Sequence, residues 1–368
     1  MIPLAKPLVG AREEELVLET LRSGRLALGP RLPEFERALS GLLDHPVSAV
    51  SSGTAGLHLA IRAAGIESGD EVVTTPFSFV ASANCLLYEN AKPVFCDIDP
   101  RTLNITPEAA GEALTERTTG ILPVHIFGYP VDMGGLELLS RDCGLWIVED
   151  ACEALGAVHA DGTPVGARGN LSVFAFYANK QITTGEGGAV VSASAELKER
   201  IDSERNQGRA PDMGWLDHDR LGFNYRLDEL SCALGIAQLE RLEKLLEARA
   251  RVASLYAQML GGVEGLDLPC PDEGGNSRGW FVYVVQLPRG VDRDSAVTGM
   301  RERGVDSKPY LPAIHLMSFY RERFGHKEGD FPVCEDVAAR SLALPFYPEL
   351  TEGEVEQVVE ALRAVIGR

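Results

Sequence analysis

The sequence predicts an α/β protein, with a large domain on a mostly parallel sheet and a small α+β domain C-terminal to it. Three observations carry this reading. Between about residues 46 and 195, short β-rich runs alternate with amphipathic helical stretches, as in a parallel sheet covered by helices on both faces. A long helical stretch follows, and beyond it come one strand and two more amphipathic helices. At 368 residues the chain is also long for one compact core, so two domains are expected, 1–240 and 241–368.

In order, the β-rich runs are Val47–Val50, Glu71–Thr75, Pro93–Ile98, Gly120–Phe127, Leu145–Glu149, Val173–Tyr177 and Gly188–Ser192. The stretches Ala55–Ala64, Ser82–Glu89 and Gly134–Asp142 place apolar residues at helical spacing between them. Phosphate ligands of such folds sit at the carboxyl ends of strands, where helix N-termini converge. From Leu227 to Leu260, apolar residues at Leu227, Leu230, Leu234, Ala237 and Leu245 predict one long helix, of a length that suits a connector between domains. Trp280–Leu287 then reads as a strand, and Ser295–Arg303 and Gly353–Ile366 as helices.

Apolar residues make up 45% of the chain and mean hydropathy is −0.03, values of an ordinary soluble globular protein. The formal charge of −19 opposes nucleic acid or an anionic membrane as a main partner. It leaves an anionic substrate open, because a local pocket can oppose the net field. The seven cysteines are scattered, with no C-x-x-C pair, which suggests buried thiols in a reducing compartment and no metal site. Without an apolar leader or an apolar run of spanning length, the protein is expected to be cytoplasmic.

Three segments carry chemistry. Ser51-Ser-Gly53-Thr54-Ala-Gly56 follows a strand and opens a helix. Backbone N–H groups and the helix dipole there suit a phosphate, though an ordinary N-cap with a tight turn has the same letters. Trp146-Ile-Val-Glu149-Asp150-Ala-Cys-Glu153 is a buried strand that ends in acids. A carboxylate at such a strand end suits pairing with a cationic ring nitrogen, and an acidic loop is the plainer alternative. Val173-Phe-Ala-Phe-Tyr-Ala-Asn179-Lys180 runs into a Gly-rich turn ending at Gly188. That places Lys180 inside the fold, where a dry or cationic setting makes an amine nucleophile.

On these segments the chain resembles the DegT/DnrJ/EryC1/StrS family of nucleotide-sugar aminotransferases, which have the type I fold of pyridoxal-phosphate enzymes. The likeness extends from Gly29-Pro-Arg-Leu-Pro-Glu-Phe35 to Leu344-Pro-Phe-Tyr-Pro348. It implies pyridoxal 5′-phosphate held as a Schiff base on Lys180, with pyridoxamine 5′-phosphate as the form between half-reactions, and Lys180 as the proton shuttle. It also implies Asp150 at the ring nitrogen, Glu153 near the ring hydroxyl, Phe79 stacked on the ring, and Gly53 and Thr54 at the phosphate. Asn224, in Gly222-Phe-Asn224-Tyr-Arg226, matches a segment that reaches the partner's cofactor phosphate, which implies a homodimer with shared sites. Asn179, Arg226 and His315 are candidate substrate residues. Arg226 has the loop brace as its alternative, and His315 a structural role. Where many relatives carry a serine at the phosphate, this chain has Ala175. The polar loop Gly208–Gly222, with Trp215 and His218, is a candidate cover for the substrate.

The resemblance implies that glutamate donates the amino group to a nucleotide-linked keto-sugar. The Asn179–Gly188 stretch looks most like perosamine-synthase-type enzymes, which aminate C4 of a 4-keto-6-deoxyhexose. An aminotransferase for a keto-cyclitol and a non-catalytic regulator on the same fold stay open. A pyridoxamine-dependent dehydratase is disfavoured, because those relatives carry histidine where this chain has Lys180.

Overall fold

The computed structural model describes residues 1–210 and 217–367. Seven strands form the main sheet: β1 (Val47–Val50), β2 (Glu71–Thr74), β3 (Lys92–Phe95), β4 (Thr118–Leu122), β5 (Trp146–Asp150), β6 (Leu171–Ala175) and β7 (Gly188–Val191). Their order is β1-β7-β6-β5-β4-β2-β3. Strands β3, β2, β4, β5 and β6 run parallel, and β7 pairs antiparallel with both β6 and β1. Strands β1, β2 and β7 are buried along their whole length. Burial on both faces explains why they are rich in valine and alanine.

Among the expected strand boundaries that move, two of the moves bear on the site. The run Val173–Tyr177 is realised earlier, as Leu171–Ala175, because Phe176 turns its N–H to the Gly187 carbonyl and its carbonyl to the Thr184 N–H. Ala175 therefore ends the strand. The run Gly120–Phe127 stops at Leu122, and Ile126–Gly128 forms a 3₁₀ turn in which Phe127 has a φ of 51°.

The expected single helix from Leu227 to Leu260 is two helices, Glu229–Leu239 and Leu242–Leu260. Neither Pro nor Gly stands at the break. Charged contacts pin it instead: Arg12 pairs with Glu240 at 2.9 Å, and Arg241 pairs with Glu13 at 2.8 Å while also donating to the Leu8 carbonyl. The apolar period continues through the break, so periodicity alone reads one helix.

A second core lies C-terminal to the break. Strands β8 (Tyr283–Gln286), β9 (Lys308–Pro309) and β10 (Ser341–Leu344) form an antiparallel sheet in the order β8-β10-β9. Helices Leu242–Leu260, Arg293–Glu302 and Glu352–Ile366 pack on it through Val252, Tyr256, Met300, Val358 and Leu362. Ile2 joins this core and bridges to Val305, so the start of the chain packs on the C-terminal sheet.

Candidate active site

Strand β5 ends at Asp150, the helix Gly53–Ala63 begins just past β1, and Lys180 follows β6. All three reach one cavity of about 450 Å³. Ser52 caps the helix, its Oγ accepting the Ala55 N–H at 3.1 Å. The first-turn amides of Gly53 and Thr54 have no intrahelical acceptor and line the cavity. The cradle is tight. A Cβ at Gly53 would lie 2.7 Å from the Ala175 Cβ, and one at Gly188 would lie 2.7 Å from the Ser52 carbonyl.

Asp150 is buried and held on both oxygens. Oδ1 accepts the Cys152 N–H at 3.1 Å, and Oδ2 accepts the Ser82 hydroxyl at 2.7 Å. Its backbone is tied to the Pro123 carbonyl and the His125 N–H. The neighbouring Glu149 is fully buried too, with Oε2 3.1 Å from His125 Nε2 and Oε1 accepting from Asn170. Because His125 Nδ1 accepts the Val131 N–H, the imidazole proton sits on Nε2 and points at Glu149. Burial alone would push Glu149 up, and the bonds from His125 and Asn170 outweigh it, leaving this carboxyl below its ordinary value.

The Lys180 amine lies 3.7 Å from Glu153 Oε1 and 3.9 Å from the centroid of the Phe281 ring. Glu153 Oε2 accepts the Phe127 N–H at 2.9 Å, which accounts for the unusual backbone at Phe127. Burial, partly offset by the Lys180 cation, pushes the Glu153 carboxyl up. Phe281 stands just before β8, so the segment leading into the C-terminal sheet supplies one wall.

Of the residues singled out in the sequence, Gly53, Thr54, Phe79, Asp150, Glu153, Asn179 and Lys180 line this cavity, as does Ala175. Phe79 stands at its rim, 62% exposed. Asn224, Arg226 and His315 do not line it. Asn224 is exposed between Phe223 and Tyr225, whose rings stack at 5.0 Å. Arg226 donates to Asn206 Oδ1 at 2.9 Å and so braces the loop. His315 is fully buried, with Nε2 3.0 Å from Glu335 and its ring 4.8 Å from Phe331. His218 is exposed and bonds the Gln207 carbonyl, while Trp215 lies outside the described residues.

Sequence reading missed Ser82, Phe281 and Tyr310 as lining residues. The serine-rich segment Ser78–Ser82 was a usable signal for the first. The aromatic pair comes from distant, ordinary-looking stretches. Among the described residues no cluster of His, Cys, Asp or Glu suits a metal, and no helix is long and apolar enough to cross a membrane.

A buried carboxylate, a lysine amine and a cradle of helix-start amides on one cavity fit a flat cationic ring that carries a phosphate. This is the fold of a type I pyridoxal-phosphate enzyme. The chain belongs to the DegT/DnrJ/EryC1/StrS aminotransferase family, which it matches over residues 7–363. It is a pyridoxal-phosphate-dependent sugar aminotransferase. Across 380 residues it is 33% identical to the spore coat polysaccharide biosynthesis protein SpsC of Bacillus subtilis, covering 99% of this chain and 97% of that one. The crystal structure of the aminotransferase TlmJ from Streptoalloteichus hindustanus matches with a TM-score of 0.92 at 33% identity, over 100% of this chain and 99% of that one. PseC of Helicobacter pylori, an aminotransferase of pseudoaminic acid biosynthesis, matches with a TM-score of 0.93 at 26% identity, over 100% and 99%.

Proposed function

We propose that this enzyme moves an amino group from glutamate to C4 of a nucleotide-linked 4-keto-6-deoxyhexose, as perosamine-synthase-type enzymes do, for deoxysugar and polysaccharide biosynthesis in the cytoplasm. The observation that carries the reading is the convergence of Lys180, Asp150 and the Gly53–Thr54 amides on one cavity. The likeness to SpsC and PseC, described as proteins of spore coat polysaccharide and pseudoaminic acid biosynthesis, supports the substrate class.

In this reading residues 1–240 form the cofactor domain and 241–368 the small domain that supplies Phe281. Bound in the cavity, pyridoxal 5′-phosphate supplies an electron-accepting ring through which an amino group passes between carbon skeletons. Gly53 and Thr54 would hold its phosphate, Asp150 would keep its ring nitrogen protonated, and Glu153 and Phe79 would complete the ring's surroundings. Lys180 anchors it, then takes and returns the proton at the substrate carbon. Ser82 and the Cys152 N–H fix the Asp150 carboxylate, which keeps that partner from rotating away.

Asn224 serves the partner subunit of a homodimer. Its exposure, and its position outside the chain's own cavity, support this. Hybrids of Lys180→Ala and Asn224→Ala subunits are then expected to regain part of the activity, since each hybrid holds one complete site. No regain on mixing would count against shared sites.

The substrate is tested with glutamate as donor against a panel of nucleotide 4-keto- and 3-keto-sugars, the aminated carbon being located by NMR. Amination at C4 of a 4-keto-6-deoxy sugar is expected. Turnover of a keto-cyclitol alone would replace the sugar reading.

A further inference from the structure

Arg249, on the helix Leu242–Leu260, is 3% exposed and far inside the molecule. Its hydrogen-bond partners are main-chain carbonyls. Nη2 donates to the Lys180 carbonyl at 2.8 Å and to that of Asn179 at 3.4 Å, and Nη1 donates to the Phe281 carbonyl at 3.1 Å. Its Nε has no partner, and the Phe346 ring lies 5.7 Å away. No acidic group offsets the burial, which draws the guanidinium down to about 10.

Burying a cation without a counter-ion is costly, and a neutral side chain of similar shape would pack here at lower cost. The hydrogen bonds indicate what the cation does instead. One rigid fork holds the backbone of Lys180 and the backbone of Phe281, the residue whose ring lies 3.9 Å from the Lys180 amine. The two sides of that contact are far apart in sequence, one following β6 and the other standing just before β8. Glu153, 3.7 Å from the same amine, is fixed separately by the Phe127 N–H.

We propose that Arg249 is a positioning residue for the catalytic lysine: its guanidinium clamps the Lys180 and Phe281 main chains together and so sets where the Lys180 amine sits between Phe281 and Glu153. The inference rests on the reading of Lys180 given above. Because the fork meets carbonyls from two directions, a lysine at this position keeps a charge and loses the geometry.

The test uses Arg249→Lys and Arg249→Met, purified as holoenzyme. Expected is a fall in kcat of about 10- to 100-fold, as for a misplaced reacting group, with the KM for the donor held within about twofold. The visible circular dichroism of the bound cofactor changes, while cofactor content per subunit stays at the wild-type level. Arg249→Lys recovers at most part of kcat, and it keeps the test decisive if the methionine variant does not fold. Lower melting temperatures with wild-type kcat and wild-type visible dichroism would show that Arg249 only braces the fold, and the proposal would fall. Lys180→Ala separates the two layers. An active Lys180→Ala protein overturns the reading of Lys180 itself, whereas an inert one beside unaltered Arg249 variants overturns only the clamp.

Discussion

Ser82 donates its hydroxyl to Asp150 Oδ2 at 2.7 Å, and Ser78 Oγ lies 2.7 Å from Ser82 Oγ in turn. The carboxylate at the end of β5 is thus steered from the start of the neighbouring helix Ala81–Tyr88. A hydrogen bond to a charged acceptor contributes about 1.5–3 kcal/mol, enough for at least a tenfold change in rate if it acts at the transition state. Ser82→Ala is expected to lower kcat by roughly tenfold with little change in cofactor content. Steady-state kinetics at saturating donor measure this, and an unchanged kcat would remove Ser82 from the site's machinery.

Ala175 ends β6, and its Cβ packs against the Gly53 backbone in the phosphate cradle. Ala175→Ser places a hydroxyl where many relatives have one. Tighter cofactor binding by about 1 kcal/mol is expected, the usual yield of one hydrogen bond. Equilibrium dialysis of apoprotein against pyridoxal 5′-phosphate reads this. An unchanged dissociation constant would mean that the cradle is already satisfied without a side chain at 175.

Gly53→Ala does the opposite. The new methyl meets the Ala175 Cβ at 2.7 Å and the Cys152 Sγ at 3.1 Å, so the helix start must shift. Overpacking of this kind costs about 1–3 kcal/mol. Chemical denaturation should show that loss, and cofactor should dissociate more readily. A variant with wild-type stability and retention would show that the helix start yields freely.

His159 is buried beside His125, their ring centroids 5.8 Å apart. Burial above all, with His125 as the close neighbour, depresses the imidazole from 6.5 to about 4. Across that window the unfolded chain binds a proton that the folded chain refuses, so stability falls as pH drops from 6.5 towards 4. The limiting loss is about 3 kcal/mol. Urea titrations between about pH 7 and pH 5 should show this slope in the wild type and a shallower one in His159→Leu. Parallel slopes would mean that other groups carry the acid sensitivity.

The main sheet was legible because strands buried on both faces, such as Val47–Val50 and Gly188–Val191, leave short runs of small and β-branched residues. The two-residue strand Lys308–Pro309 is exposed and left no pattern. The N-terminal helices Ala11–Ser23 and Arg31–Leu43, which pack on Glu229–Leu239, lie ahead of the alternating region and outside its strand–helix pattern. In the site, Gly53, Thr54, Asp150 and Lys180 announce themselves because each sits at a strand or helix end with telling neighbours. Phe281 and Arg249 do not. Their roles exist only once the second core packs on the first, and a phenylalanine before a strand or an arginine inside a helix is locally unremarkable. His315 shows the reverse, a suggestive letter in a segment that proved to be a buried pair with Glu335.

The Arg249 fork also bears on how ligands come and go. Swinging the C-terminal core away from the sheet would drag on the backbone of Lys180 and break the carbonyl contacts that carry a buried cation. That core is therefore a fixed wall and not a door. Traffic is left to the open rim, where Phe79, Tyr177 and Glu186 stand exposed among the cavity's lining residues. Donor and acceptor then share one entrance and must use it in turn, so each leaving product clears the way for the next arrival.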